Sequence, residues 1–175
     1  MKIFLYFSVF ISLTGCISHK NDFEKYYQSF SNIILPLNVE CGFQNSNKLN
    51  DIDQSIINNY LPKGAEPYGR IYNKQPNIYL LYSFVGDILY PYLFIYDKSG
   101  NQLDSMYLHI EYCNISPNSQ QINYTLINPD CSMLMVDTIK TWINEDLYPD
   151  SVSIEIIKKL YKMNNKGLFD EAEIH

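Results

Sequence analysis

The side chains with the most reactive chemistry in this 175-residue chain are three histidines, four cysteines and a few grouped carboxylates. His19 and His175 lie near the two ends, so His109 is the histidine the sequence sets on regular structure. It belongs to a stretch of strand-like alternation, with Tyr107 and Glu111 on the same nominal face. A His and a Glu two residues apart on a strand project side by side, as two ligands of a metal site would. A zinc site takes three or four protein ligands, and no third is visible, so an exposed strand histidine is the expected reading. His109 and Cys113 fall two pleats apart on that face, which would allow an imidazole-activated thiol, although such pairs are set in space rather than in sequence. The run Asp97-Lys-Ser-Gly-Asn-Gln-Leu-Asp104 has oxygens at Ser99 and Asn101 but no terminal glutamate for calcium. Its flanks read as strands, which makes it a hairpin turn. Glu145 and Asp146 are adjacent and read as a solvated acidic turn before Pro149. There is no Gly-x-Ser-x-Gly elbow and no Cys-x-x-Cys pair. No catalytic residue, metal or cofactor is assigned on these grounds, while carboxylates that act together across space, as in glycoside hydrolysis, leave no spacing to read.

Cys16 sits in a more specific setting. Lys2 supplies a basic start, and Ile3 to Leu13 is an apolar run of eleven residues, too short to cross a hydrocarbon core of roughly 30 Å as a helix. Small residues follow, as at a signal cleavage site. The tetrad Leu13-Thr14-Gly15-Cys16 resembles a bacterial lipobox. The resemblance implies that the Cys16 thiol is alkylated by a diacylglycerol, that the Gly15–Cys16 bond is cut, and that the new amine is acylated. Several acyl chains together hold a protein stably on a membrane where one does not. Ile17 follows the cysteine in place of Asp, which in lipoproteins like those of enteric bacteria implies sorting to the outer membrane. On this reading residues 1–15 are a signal peptide, 16–21 a lipidated cysteine and tether, and 22–175 a single globular domain.

Export would place the other three cysteines, Cys41, Cys113 and Cys131, in an oxidising compartment. At most one pair of them can form a disulfide, and sequence does not choose among the three pairings. The alternative is that all three are small buried apolar side chains.

Two N-terminal helices are expected. Asn21 lies three residues before Glu24, a spacing that can cap a first turn. Phe23, Tyr26, Tyr27, Phe30, Ile33 and Ile34 recur at steps of three and four, predicting a helix from Asp22 to Ile34 that stops before Pro36. Ile52, Ile56 and Tyr60 predict a second, from Asp51 to Tyr60, capped by Asn50 or Asp51 and ended by Pro62.

After Gly64 the period becomes that of strands. Tyr68 to Tyr72 is a short candidate. Ile78 to Val85 is apolar at nearly every position, as in a strand covered on both faces. Leu89 to Tyr96 follows, then a hairpin at Lys98-Ser99-Gly100-Asn101. In the next strand Met106, Leu108, Ile110 and Tyr112 alternate with Ser105, Tyr107, His109 and Glu111. Ile115 to Gln120 reads as loop. Further strands fit Ile122 to Ile127, Met133 to Ile143 and Val152 onward, where Ile157 breaks the alternation and predicts a bulge or a switch to helix. Asn164-Asn165-Lys166-Gly167 is another hairpin signal, before a last strand at Leu168 to Ala172. The fold class is α+β: N-terminal helices, then an antiparallel β-meander of six to eight strands, open or partly closed.

One strand carries two unlike sides. Leu89, Pro91, Leu93 and Ile95 read as core, while Tyr90, Tyr92, Phe94 and Tyr96 form an aromatic row. That row either packs under the first helix, whose face is also aromatic, or stands exposed as a platform for a glycan or a protein. Pro91 within the strand points to an edge or a bulge.

The net charge of −6 argues against nucleic acid as a partner, since phosphate binding needs clustered Lys and Arg. A hydrophobic fraction of 46% suits a folded domain. The expected function is a noncatalytic envelope protein, anchored to the membrane by Cys16, that binds a protein or a glycan. Two alternatives stand beside it: an inhibitor or immunity protein that neutralises a toxin or lytic enzyme, for which an acidic surface would steer a basic target, and a hydrolase with scattered catalytic residues.

Overall fold

A computed structural model describes residues 21–40, 49–72, 76–86, 89–109, 115–116, 119–142 and 152–174. Helix α1 covers residues 21–28 and α2 covers Gln54–Tyr60. Around them run β1 (Asn32–Ile33), β2 (Leu37–Glu40), β3 (Ala65–Ile71), β4 (Ile78–Val85), β5 (Leu89–Tyr96) and β6 (Gln102–Tyr107). Then follow β7 (Ile115–Ser116), β8 (Ser119–Ile127), β9 (Met133–Trp142), β10 (Val152–Met163) and β11 (Phe169–Ala172).

The strands form two open sheets. One has the order β1-β3-β4-β5-β6, and the other β11-β10-β9-β8-β2, with β7 beside β8. Period-2 alternation then decides what lies where. Tyr79 and Leu81 of β4, and Leu93 and Ile95 of β5, face the second sheet and meet Ile127, Met133 and Met135 there. The opposite side of the same two strands presents Leu80, Tyr82, Phe94 and Tyr96, which pack with Phe23, Tyr26 and Phe30 from the α1 segment and with Ile56 of α2. The first sheet is therefore a wall with a core on each side. This is why Ile78 to Val85 reads as apolar throughout.

Turns are fixed by short polar side chains. Asp97 accepts from the backbone of Ser99 at 2.7 Å and of Asn101 at 2.9 Å, and from the Asn101 amide at 2.8 Å. The Asn101 side chain, followed by those backbone N–H groups, holds the Asp97 carboxyl below its usual range. The carboxylate is thus engaged by its own hairpin. Gly100 takes φ 89, and a Cβ there would lie 2.7 Å from Cγ of Phe23. A positive φ and this close approach both require glycine. Asn164 does the same service in the last hairpin, accepting from Lys166 and Leu168 at 2.9 and 3.0 Å.

Several expectations are corrected. The six-to-eight-strand meander is instead two sheets of five and six strands, and neither is closed. The N-terminal helices are short, with strands between them. Helix α1 ends at residue 28 rather than Ile34: the Ser29 hydroxyl donates to the Tyr26 carbonyl at 2.6 Å, and Asn32–Ile33 pairs in parallel with Arg70 and Ile71 of β3. Sheet pairing outcompetes a further helical turn, leaving Ile34 87% exposed. Helix α2 starts at Gln54, capped by Asp53, whose carboxylate accepts from Ser55 at 3.0 Å. Strand β10 neither bulges nor turns helical at Ile157, because its pairing with β9 runs unbroken from Val152 to Tyr161. Within Ile115 to Gln120, Ile115–Ser116 pairs with the start of β8. Pro91 lies in a central strand, opposite Ser83 of β4 and past the end of pairing with β6.

Candidate functional site

The aromatic row of β5 divides along its length. Phe94 and Tyr96 are buried under α1, with Tyr96 5.3 Å from Phe23 between ring centroids. Tyr92 is half-buried, against Phe84 and Tyr107 at 5.2 Å each, and Tyr90 is half-buried 6.3 Å from Tyr107. Phe94 and Tyr96 thus belong to the helix-covered core, with Tyr92 packed at its margin. Beneath the helix, the Tyr26 and Tyr82 hydroxyls share a hydrogen bond of 3.0 Å. Burial raises the pKa of both phenols, so both stay neutral.

His109 is 4% exposed, so the exposed-histidine expectation is corrected. Strand β6 stops at Tyr107, and the chain passes from one sheet to the other. The Leu108 N–H donates to the Pro91 carbonyl of the first sheet at 3.0 Å, and the Leu108 carbonyl accepts from the Thr125 hydroxyl of the second. This crossing carries His109 inside, where the Tyr107 ring meets it edge-on at 5.5 Å. Neither imidazole nitrogen has a hydrogen-bond partner of good geometry among the described residues. Burial lowers the pKa to about 4, and the Glu40 backbone carbonyl nearby opposes the shift only in part.

A second buried polar group is one that sequence reasoning missed. Asp137 is fully buried in β9 and accepts from Gln121 at 2.7 Å, with Asn123 opposite it on β8. Its phase is the available signal, since Met133, Met135 and Asp137 share one side of a strand. Among the described residues no three His, Cys, Asp or Glu side chains converge as a metal site. Cys131 is buried in the turn before β9 with φ 63. Cys16, Cys41, Cys113, Glu111, Glu145 and Asp146 lie outside the described residues.

One feature among the described residues has the size of a binding site and is not one the sequence anticipates. A cleft of about 370 Å³ is lined by Tyr27 and Gln28 of α1, Arg70, Ile71 and Tyr72 at the end of β3, Pro76, Asn77 and Ile78 before and within β4, and Lys98 from the β5–β6 hairpin. Its size falls in the usual range for small-molecule sites. Gly69 makes the site possible. A Cβ there would lie 2.7 Å from Cγ1 of Ile33 and 3.0 Å from the Ser31 carbonyl, so only glycine lets β1 lie against β3. That pairing puts Asn32 beside Arg70. The Arg70 Nε donates to Asn32 Oδ1 at 2.7 Å, and Nη1 makes a long 3.5 Å contact with the Tyr27 carbonyl. Guanidinium has five N–H donors, so the described residues leave most of the fork for a ligand. Tyr72 is 79% exposed at the rim. Among the described residues the lining holds two cations, two tyrosines and two amides, and no carboxylate.

A second hollow, of about 400 Å³, is lined by Asp22, Lys25, Asp51, Asp53 and neighbours. Two of its carboxylates already serve the fold: Asp53 caps α2, and Asp22 lies 3.9 Å from Lys25.

No protein-family model, no curated protein and no solved structure matches this chain.

Proposed function

We propose that this chain is a noncatalytic lipoprotein of the bacterial cell envelope, held at the outer membrane through Cys16, that binds an acidic glycan in the Arg70 cleft. The observation that carries the reading is the cleft itself. A guanidinium fixed at Nε by Asn32 presents its remaining donors beside Lys98, with Tyr27 and Tyr72 as walls and no carboxylate among the described lining residues. Arginine recognises carboxylates and sulfates through paired, charge-assisted hydrogen bonds. Tyrosine offers a flat apolar area for a sugar ring plus a hydroxyl. In a chain of net charge −6, such a cationic hollow selects for anionic ligands locally.

Two experiments test the two halves of the proposal. Calorimetry with oligogalacturonate as the probe should show binding that weakens with salt. Arg70→Ala should weaken it at least tenfold, with Arg70→Lys in between, because lysine keeps the charge and loses the fork. Binding no stronger than that of a neutral oligosaccharide of equal length would overturn the cleft assignment. For the anchor, Cys16→Ser should move the protein from the membrane fraction or leave it unprocessed, and an unmodified Cys16 at the mature N-terminus of the parent protein would refute lipidation.

A further inference from the structure

Strand β10 is longer than the strand that borders it. It pairs with β9 from Val152 to Tyr161, but with β11 only from Leu160 to Met163. Over Val152–Lys159 its other edge has no strand partner among the described residues. An unpaired edge offers a row of backbone donors and acceptors that another strand can take up. Natural edges are usually blunted by proline, by charged side chains, above all lysine, or by a bulge; here Glu155, Lys158 and Lys159 supply charge, while the stretch Val152-Ser-Ile-Glu-Ile156 holds no proline, lysine or bulge. Its outward side chains are also apolar and uncovered: Val152 is 41%, Ile154 59% and Ile156 56% exposed. Across the sheet the same face continues through Thr138 to Ile122, itself 42% exposed.

We propose that this edge joins a second copy of the same chain, β10 against β10, antiparallel about a twofold axis through Ile154. A twofold axis normal to the sheet sets outward residues opposite outward ones, which leaves few registers to compare. Centring on Glu155 would place two like charges face to face. Centring on Ile156 would set Ile154 against Lys158 and bring Val152 to Leu160, whose edge β11 already occupies. Centring on Ile154 sets Ile154 on its symmetry mate and Val152 on Ile156. It also sets Ser153 opposite Glu155, where the hydroxyl can donate to the carboxylate. This register stays within Val152–Ile156, clear of β11, and pairs the three exposed aliphatic side chains with one another. Cross-strand pairs of this kind are the unit of sheet stabilisation. A single closed contact consumes the edge of both copies, so the assembly stops at a dimer.

The test is cysteine crosslinking of the full chain in detergent micelles, read against the parent chain with its native cysteines. Ile154→Cys should give a covalent dimer on mild oxidation. Lys158→Cys, on the same face but roughly 25 Å from its mate in this register, should give no more dimer than the parent. Ile154→Lys should shift the sedimenting species from dimer to monomer. Both Ile154 variants should keep the parent's far-ultraviolet circular dichroism, because the side chain is exposed within one chain, while Ile154→Lys melts lower as it loses the partner's stabilisation. Four results would each overturn the proposal: no covalent dimer from Ile154→Cys, equal crosslinking by Lys158→Cys, a monomeric parent, or a crosslink from Ile154→Cys to a different protein.

Discussion

Replacing Phe23 with alanine should destabilise the protein by about 3 to 5 kcal/mol, the usual range for truncating a buried phenylalanine. Phe23 is fully buried, and its ring lies 5.3 Å from both Tyr60 and Tyr96, 5.7 Å from Tyr27 and 6.2 Å from Tyr26. It therefore joins both helices to β5, and the tight approach of Gly100 brings in the β5–β6 hairpin as well. Each well-placed aromatic pair adds about 0.5 to 1.5 kcal/mol beyond its area. Neither helix is long enough to persist alone in water, so the loss falls on the whole helical layer. Urea denaturation gives the size. Tyr90→Ala, at the half-buried end of the same aromatic system, is the comparison and should cost less. An unchanged midpoint for Phe23→Ala would show that the helical layer contributes nothing to the cooperative fold.

Acidification should weaken the protein well above the carboxylate range, through His109. Its folded pKa of about 4 lies below the ordinary 6.5. Above pH 6.5 the imidazole is neutral in both states. Between pH 6.5 and about 4 the unfolded chain takes up a proton that the buried ring refuses, so stability falls as pH drops and levels off below. The full loss is about 3 kcal/mol. Asp97 and Asp130 act in a different window. Hydrogen bonds within their turns lower their folded pKa from 3.8, so their contribution is lost only as pH falls through and below that value. Unfolding free energies at about pH 7, 5.5 and 4.5 separate the two. His109→Phe, which keeps a ring against Tyr107, should flatten the profile across the upper window. A parent protein equally stable at the two ends of that series would contradict the burial of His109.

The contrast between these two residues shows what the sequence could disclose. Local periodicity places Phe23, and it places the limits of β4 and β5 as well, since an apolar run bounded by Gly86 and by the Lys98–Asn101 turn is a local signal. The two sides of β5 are legible for the same reason. His109 is misplaced by such reasoning because its fate depends on where β6 stops and on which carbonyl and hydroxyl then hold Leu108. Those partners, Pro91 and Thr125, are distant in sequence. Strand β1 is hidden because Ile33 and Ile34 continue the helical spacing of Phe30 by coincidence, while the pairing that claims Asn32 is a parallel one with Arg70. The cleft draws its walls from α1, β3, β4 and a hairpin, so no window of sequence contains it. Asp137 is readable, since its phase with Met133 and Met135 points it inward.

The last hairpin also bears on how the protein is made. The Tyr79 hydroxyl donates to the Gly167 carbonyl at 2.7 Å, and Asn77 donates to the Lys166 and Gly167 carbonyls at 2.9 and 3.3 Å. Phe169 then seals the inner core edge-on to Tyr79 at 6.0 Å. The first sheet is thus translated well before its cover is finished. A nascent chain halted anywhere short of Phe169 carries Tyr79 and its aliphatic neighbours without their full lid, the kind of surface that attracts chaperones or other unfinished chains. Closure of this domain waits for a clasp synthesised 88 residues after the tyrosine it grips.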